Sequence, residues 1–164
     1  MGASVAGICW KATYNDDATP ASNHIVGVVG IGWLIGATNL PGSWYAALRK
    51  PSFNPPNWVF APTWTVLYIM IAVAGWRTYL QDTKCHAMQF WYAQMLLNFA
   101  WPPIVFALHS LTLGLAIIVV LLLTIVTFIV IQWRINRQAA LLFIPYAAWV
   151  GFASVLNYEL VRLN

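Results

Sequence analysis

The sequence predicts an all-α integral membrane protein with five transmembrane helices in a single bundle. Three observations predict it. Hydrophobic residues make up 61% of the 164 residues and charged ones only 7%, where a soluble domain carries about 25% charge; mean hydropathy is +0.71. Five apolar runs are each about as long as the roughly 20 residues that cross a bilayer. Between the first two lies a proline- and ring-rich stretch, Pro41 to Trp64, PGSWYAALRKPSFNPPNWVFAPTW, which cannot be one continuous helix.

Residues 1–24 read as a polar or interfacial tail, and residues 25–164 as the membrane domain. The tail starts apolar but is broken by Tyr14, Asn15, Asp16, Asp17 and Pro20. It lacks the basic start of a secretory leader and the arginine-rich, acid-poor composition of a transit peptide.

The first helix is expected over Ser22–Leu40. Its Gly32 and Gly36 form a GxxxG pair that permits close helix approach, within the bundle or at a dimer seam. Pro41 ends it, because proline lacks an amide and clashes with the preceding turn. Ser43 is placed to cap a short helix over Trp44–Leu48, and Pro51, Pro55 and Pro56 stop any longer one. Rings at Trp44, Tyr45 and Trp58 suit a membrane interface or the lid of a pocket.

The second span is expected over Val59–Tyr79, with Trp64 and Tyr68 four apart on one face. The third, His86–Leu108, carries Gln94, Asn98 and Trp101 as one stripe. Amides facing hydrocarbon are costly, so this stripe should turn inward. Pro102 and Pro103 should bend it. The fourth, Leu111–Trp133, is nearly all Leu, Ile and Val and reads as scaffold, closed by Arg134 and Arg137. The fifth, Leu141–Leu163, has Trp149, Ala153 and Asn157 as a second stripe, with Glu159 and Arg162 at its end.

Several chemistries are excluded or left without a signal. The basic residues are scattered, so no stripe suits nucleic acid. Cys9 and Cys85 match no metal-ligand spacing and read as two free thiols, with a disulfide between them left open. The four acids, Asp16, Asp17, Asp82 and Glu159, form no catalytic pair inside the bundle. No metal site is expected. His24, His86 and His109 lie near span ends and read as interfacial, with axial ligation of haem by one of them left open. What remains is a pocket argument. Trp64, Tyr68, Trp101 and Trp149, with the Asn98 amide, suit a flat, largely apolar ligand with a few polar edges, and the Trp44–Trp58 loop could cover one mouth.

Five ordered motifs then carry a resemblance: WYAALRKPSFNPPNWVF at Trp44–Phe60, WTVLY at Trp64–Tyr68, NFAWPP at Asn98–Pro103, IPYAAW at Ile144–Trp149 and LNYELVR at Leu156–Arg162. From about Ile25 to Asn164 the chain resembles the translocator protein family, also called tryptophan-rich sensory proteins or peripheral-type benzodiazepine receptors. The resemblance implies a five-helix bundle, often a homodimer, in a bacterial or mitochondrial outer membrane, in contact with membrane lipid. It implies binding of porphyrin or haem, of sterols, and of synthetic benzodiazepine or isoquinoline ligands, with no cofactor required.

The implied pocket lies under the first loop. Its ligand-binding positions fall on Trp44, Tyr45, Trp64, Tyr68, Asn98, Trp101, Trp149, Ala153 and Leu156. The tryptophan often found in KPxWxPP is Phe53 here. A sterol motif survives as Leu156, Tyr158 and Arg162. The leading expectation is a porphyrin-binding receptor or sensor, with transport or buffering of the ligand left open. One alternative is light- and oxygen-dependent porphyrin degradation, in which Trp64 and Trp149 would be the catalytic, oxidisable indoles. A third is an oligomeric membrane scaffold.

Overall fold

A computed structural model of the chain describes residues 21–39, 41–81 and 85–164, the side chains of 21, 22 and 24 excepted. It is all-α among these residues. The elements are α1 (Ala21–Thr38), α2 (Ser43–Ala47), a 3-10 turn (Asn57–Val59), α3 (Phe60–Tyr79), α4 (His86–Pro102), a π turn (Pro103–Ala107), α5 (Leu111–Ile135) and α6 (Arg137–Leu163). Neighbouring long helices run in the cyclic order α1, α3, α6, α5, α4. Three helical stretches, Asn57–Tyr79, Leu111–Ile135 and Arg137–Leu163, are long and apolar enough to cross a membrane, and Ile25–Thr38 is a shorter apolar helix. The protein is therefore a multi-pass integral membrane protein.

Local chemistry explains the boundaries. Pro102 and Pro103 supply no amide to the preceding turn, so the end of α4 widens into the π turn, closed by Leu108 N–H on the Pro103 carbonyl at 3.0 Å. α6 begins at Arg137, four residues earlier than expected. Asn136 caps it by accepting from the Ala139 amide at 3.2 Å. Arg137 thus opens α6 rather than closing α5, because a capping asparagine next to polar residues starts a helix as readily as it ends one. Likewise Ser43 is the first residue of α2, not its cap; Gly42 holds that place and no side chain bonds the helix start.

Two close approaches set helix spacing. A Cβ on Gly32 would lie 2.4 Å from the Tyr68 ring, so α1 packs directly on α3 there, whereas Gly36 has nothing within 4 Å. The GxxxG pair is thereby split, and Gly32 belongs to the interior of the bundle. A Cβ on Gly75 would lie 2.3 Å from the Trp91 indole. That closeness lets Trp91 Nε1 of α4 donate to the Ile71 carbonyl of α3 at 3.0 Å.

Cys85 is buried at the start of α4 and is disulfide-bonded, which corrects the expectation of a free thiol. Distance in sequence does not bound distance in space. Cys9, the other cysteine, lies outside the described residues, as do residues 1–20 of the expected tail, whereas residues 21–24 belong to α1.

Candidate functional site

The loop of residues 41–59 lies over one end of the bundle, and the candidate residues gather beneath it in three groups. The first is central. The Trp64 and Tyr68 rings of α3 lie 5.4 Å apart, and Trp64 meets the edge of Tyr146 of α6 at 6.3 Å. Tyr68 Oη donates to Asn98 Oδ1 at 2.8 Å, Asn98 Nδ2 donates to Tyr146 Oη at 2.9 Å, and Tyr146 Oη donates to Gln94 Oε1 at 3.0 Å. This chain ties α3, α4 and α6. Gln94, Asn98, Tyr68 and Tyr146 are all buried, as groups that cannot bond lipid should be. Gln94 Nε2 is left without a partner.

The second group joins the loop to the α4–α5 connection. Trp44 stacks on His109 at 4.3 Å, and Tyr45 meets Phe106 edge-on at 5.3 Å. Phe106 also meets Trp101 at 5.7 Å, so one phenyl ring of the π turn bridges two candidate residues. His109 has φ +54°, an uncommon conformation for a ring-bearing residue. Lys50 Nζ sits 4.9 Å over the Tyr45 ring and donates to the Ala46 carbonyl at 3.1 Å. Burial pushes the Tyr45 phenol up from its ordinary value.

The third group lies between α3 and α6. Trp149 contacts Phe60 at 5.9 Å and Phe152 at 5.7 Å, and Phe53 of the loop reaches Phe152 at 6.2 Å. Trp149, Phe152, Pro62 and Pro145 help line an open groove of about 670 Å³. Pro62 and Pro145 lack side-chain reach, and so leave space between the helices. A second groove of about 380 Å³ lies between α1 and α4, bordered by Ile31, Trp91 and Phe99.

Ala153 is half-buried against the core, and Leu156 is buried. The three positions of the sterol motif are not brought together on one face. Leu156 turns inward, Tyr158 is 54% exposed, and Arg162 is exposed and paired with Glu159 at 2.8 Å. Of the histidines with described side chains, His86 and His109 are both exposed. Sequence reasoning passed over Tyr146, Phe106 and Phe60. Tyr146 lay within IPYAAW and carried a legible signal, three residues before Trp149. Phe60 closed the motif that runs from Trp44, whereas Phe106 stood in apolar surroundings and carried no signal.

The arrangement offers flat ring faces, an open groove and a loop across one end, with no acid–base pair beside them among the described residues. Comparison with known proteins agrees with this architecture. The family model described as TspO/MBR family matches residues 23–163. Protein CrtK of Rhodobacter capsulatus is 37% identical over 133 residues, covering 79% of this chain and 83% of its own. Tryptophan-rich protein TspO of Chlorobaculum tepidum is 38% identical over 135 residues, covering 77% and 84%. The human Translocator protein is 33% identical over 147 residues, covering 82% and 84%. A match this long, running from the first helix to the last, makes the chain a member of the TspO/MBR family.

Proposed function

We propose that the chain is a five-span membrane receptor for porphyrin, haem or protoporphyrin, with residues 25–164 as its membrane domain. The spans are α1, α3, α4 with its π turn, α5 and α6. The observation that carries the reading is the ring wall beneath the loop. Trp149 and Phe152 line the α3–α6 groove, Phe60 meets Trp149 edge-on and Phe53 meets Phe152 from the loop, while Trp64 and Tyr68 lie side by side on the inward face of α3 behind them. A flat macrocycle recovers stacking of roughly 0.5–1.5 kcal/mol per ring beyond burial. Titrating the purified protein with protoporphyrin should give saturable quenching of tryptophan fluorescence. No saturable quenching in folded protein overturns the reading.

A second reading, light-driven porphyrin degradation, is supported by how close the oxidisable rings lie. Trp64 touches Tyr68 and Tyr146, and those two phenols share Asn98. Illuminated porphyrin should then be lost faster with protein than without it, and to a different product spectrum. Identical products in both cases remove this reading. A sterol site is a weaker companion proposal, resting on the outward Tyr158 and Arg162 alone.

A further inference from the structure

We propose that Asn164 is a positioning residue of the site. Its carboxamide clamps the main chain of Arg49 and holds the 41–59 loop closed over the ring wall, which sets how fast ligand enters and leaves. The role of the clamp in ligand exchange rests on the porphyrin-binding reading above.

The local need comes from the loop's own sequence. α2 ends at Ala47, and Leu48 is already extended, at φ −64° and ψ 144°. Pro51 biases the residue before it away from helix. Arg49 therefore sits between a helix end and a proline, in a stretch where no helical turn takes up its amide and carbonyl. The Asn164 side chain supplies both partners. Arg49 N–H donates to Asn164 Oδ1 at 2.9 Å, and Asn164 Nδ2 donates to the Arg49 carbonyl at 3.1 Å. The same Nδ2 donates to the Leu160 carbonyl at 3.0 Å, in the last turn of α6.

An amide side chain has two donor hydrogens and an acceptor oxygen. Here both hydrogens and the oxygen are used, so the group is held in one orientation. It imitates the paired exchange of an N–H and a C=O between neighbouring strands, and it fastens the loop to the end of α6. Among the described residues the loop also has ring contacts with the bundle: Trp44 on His109, Tyr45 on Phe106 and Phe53 on Phe152. Rings can slide over one another at little cost, whereas a two-point hydrogen bond sets direction and register. Asn164 is exposed and lies past the last helical turn, so its removal should release the loop without unfolding the bundle.

Two measurements test this on the full chain in lipid nanodiscs. The first is amide hydrogen exchange of the 44–54 segment with no ligand added. The second is stopped-flow tryptophan quenching with protoporphyrin. Asn164→Ala should raise exchange in the segment and leave the melting temperature unchanged. It should speed both association and dissociation about tenfold, the factor expected for two modest hydrogen bonds lost together, and change Kd less than either rate. Asn164→Asp keeps the acceptor and loses both donors, and should fall between wild type and Asn164→Ala. Unchanged exchange in both variants overturns the clamp. Raised exchange with unchanged rates overturns its role in ligand exchange. A wild-type chain that binds no porphyrin removes the ligand reading alone, and the exchange measurement still decides the clamp.

Discussion

Phe128 and Phe143 meet at 4.1 Å toward one end of the bundle, both fully buried, while Trp44 stacks on His109 at 4.3 Å toward the other, half-buried and beside an exposed partner. The spacing is alike but the surroundings are not. Away from the loop, Ile71, Ala72, Ala74 and Ala139 are wholly buried, and the polar groups bond across helices. Gln132 Nε2 donates to Thr78 Oγ1 at 2.7 Å, and Arg77 bonds Gln138. Under the loop, apart from the Trp44–His109 stack, the contacts are edge-on or tilted rings with a groove alongside. One end is packed to the density at which a single methylene is felt. The other sets ring contacts beside an open groove. The tight end can hold the bundle together, since helix association in lipid rests on packing and hydrogen bonds rather than on hydrophobic expulsion.

The sharpest way to break the tight end is Gly75→Val. The new side chain would overlap the Trp91 indole and displace its bond to Ile71. Overpacking of this kind costs about 1–3 kcal/mol or more, to which the lost hydrogen bond adds. Thermal unfolding in mild detergent should show a large drop in melting temperature, and wild-type melting would mean that α3 and α4 are not in contact there.

Next in size is Tyr146→Phe, at the boundary between the two regions. It removes one hydroxyl but unpartners Asn98 Nδ2 and Gln94 Oε1 together. Leaving a buried polar group unpaired costs roughly 1–3 kcal/mol. The melting temperature should fall, though less than in Gly75→Val. Gln94→Leu combined with Tyr146→Phe should recover part of it, since the unpaired amide is then gone. No recovery in the double variant would place the loss elsewhere.

A smaller effect sharpens the contrast from the loop side. Trp64→Phe and Trp149→Phe keep a ring face, so porphyrin affinity should weaken by less than about tenfold, or about 1.4 kcal/mol. Melting should barely move. Trp133, exposed near the end of α5, is the control, and Trp133→Phe should leave affinity unchanged. If all three variants bind alike, the ring wall is not the contact surface. Were light-driven loss of porphyrin to fall much further than affinity in the first two, the degradation reading would gain.

The smallest expected change is His109→Asn. Asparagine tolerates the positive φ found there, so the variant isolates the stack on Trp44, worth about 0.5–1.5 kcal/mol. Exchange of the 44–48 amides should rise while the melting temperature stays put. A lowered melting temperature would show that this end is as tightly coupled as the other, and the comparison would collapse.

Much of this was legible in the chain. Apolar length and the near absence of charge dictate a multi-span helical bundle, because an unbonded backbone is intolerable in hydrocarbon. Period-four spacing turned Gln94 and Asn98 inward, and the prolines of the 41–62 stretch foretold a broken, ring-bearing loop. Those properties are local, and each follows from a residue and its near neighbours along the chain. Partner choice was not legible. Nothing around Gly32 names Tyr68, nothing around Gly75 names Trp91, and Asn164 gives no hint of Arg49. Leu156, Tyr158 and Arg162 read as one motif along the line, yet the helical turn sends Leu156 inward and the other two outward. Cys85 read as a thiol because its sequence neighbours carry no partner. Such pairings depend on how the long helices settle around one another, where close packing lets a ring face glycine and lets a single amide choose which loop to hold.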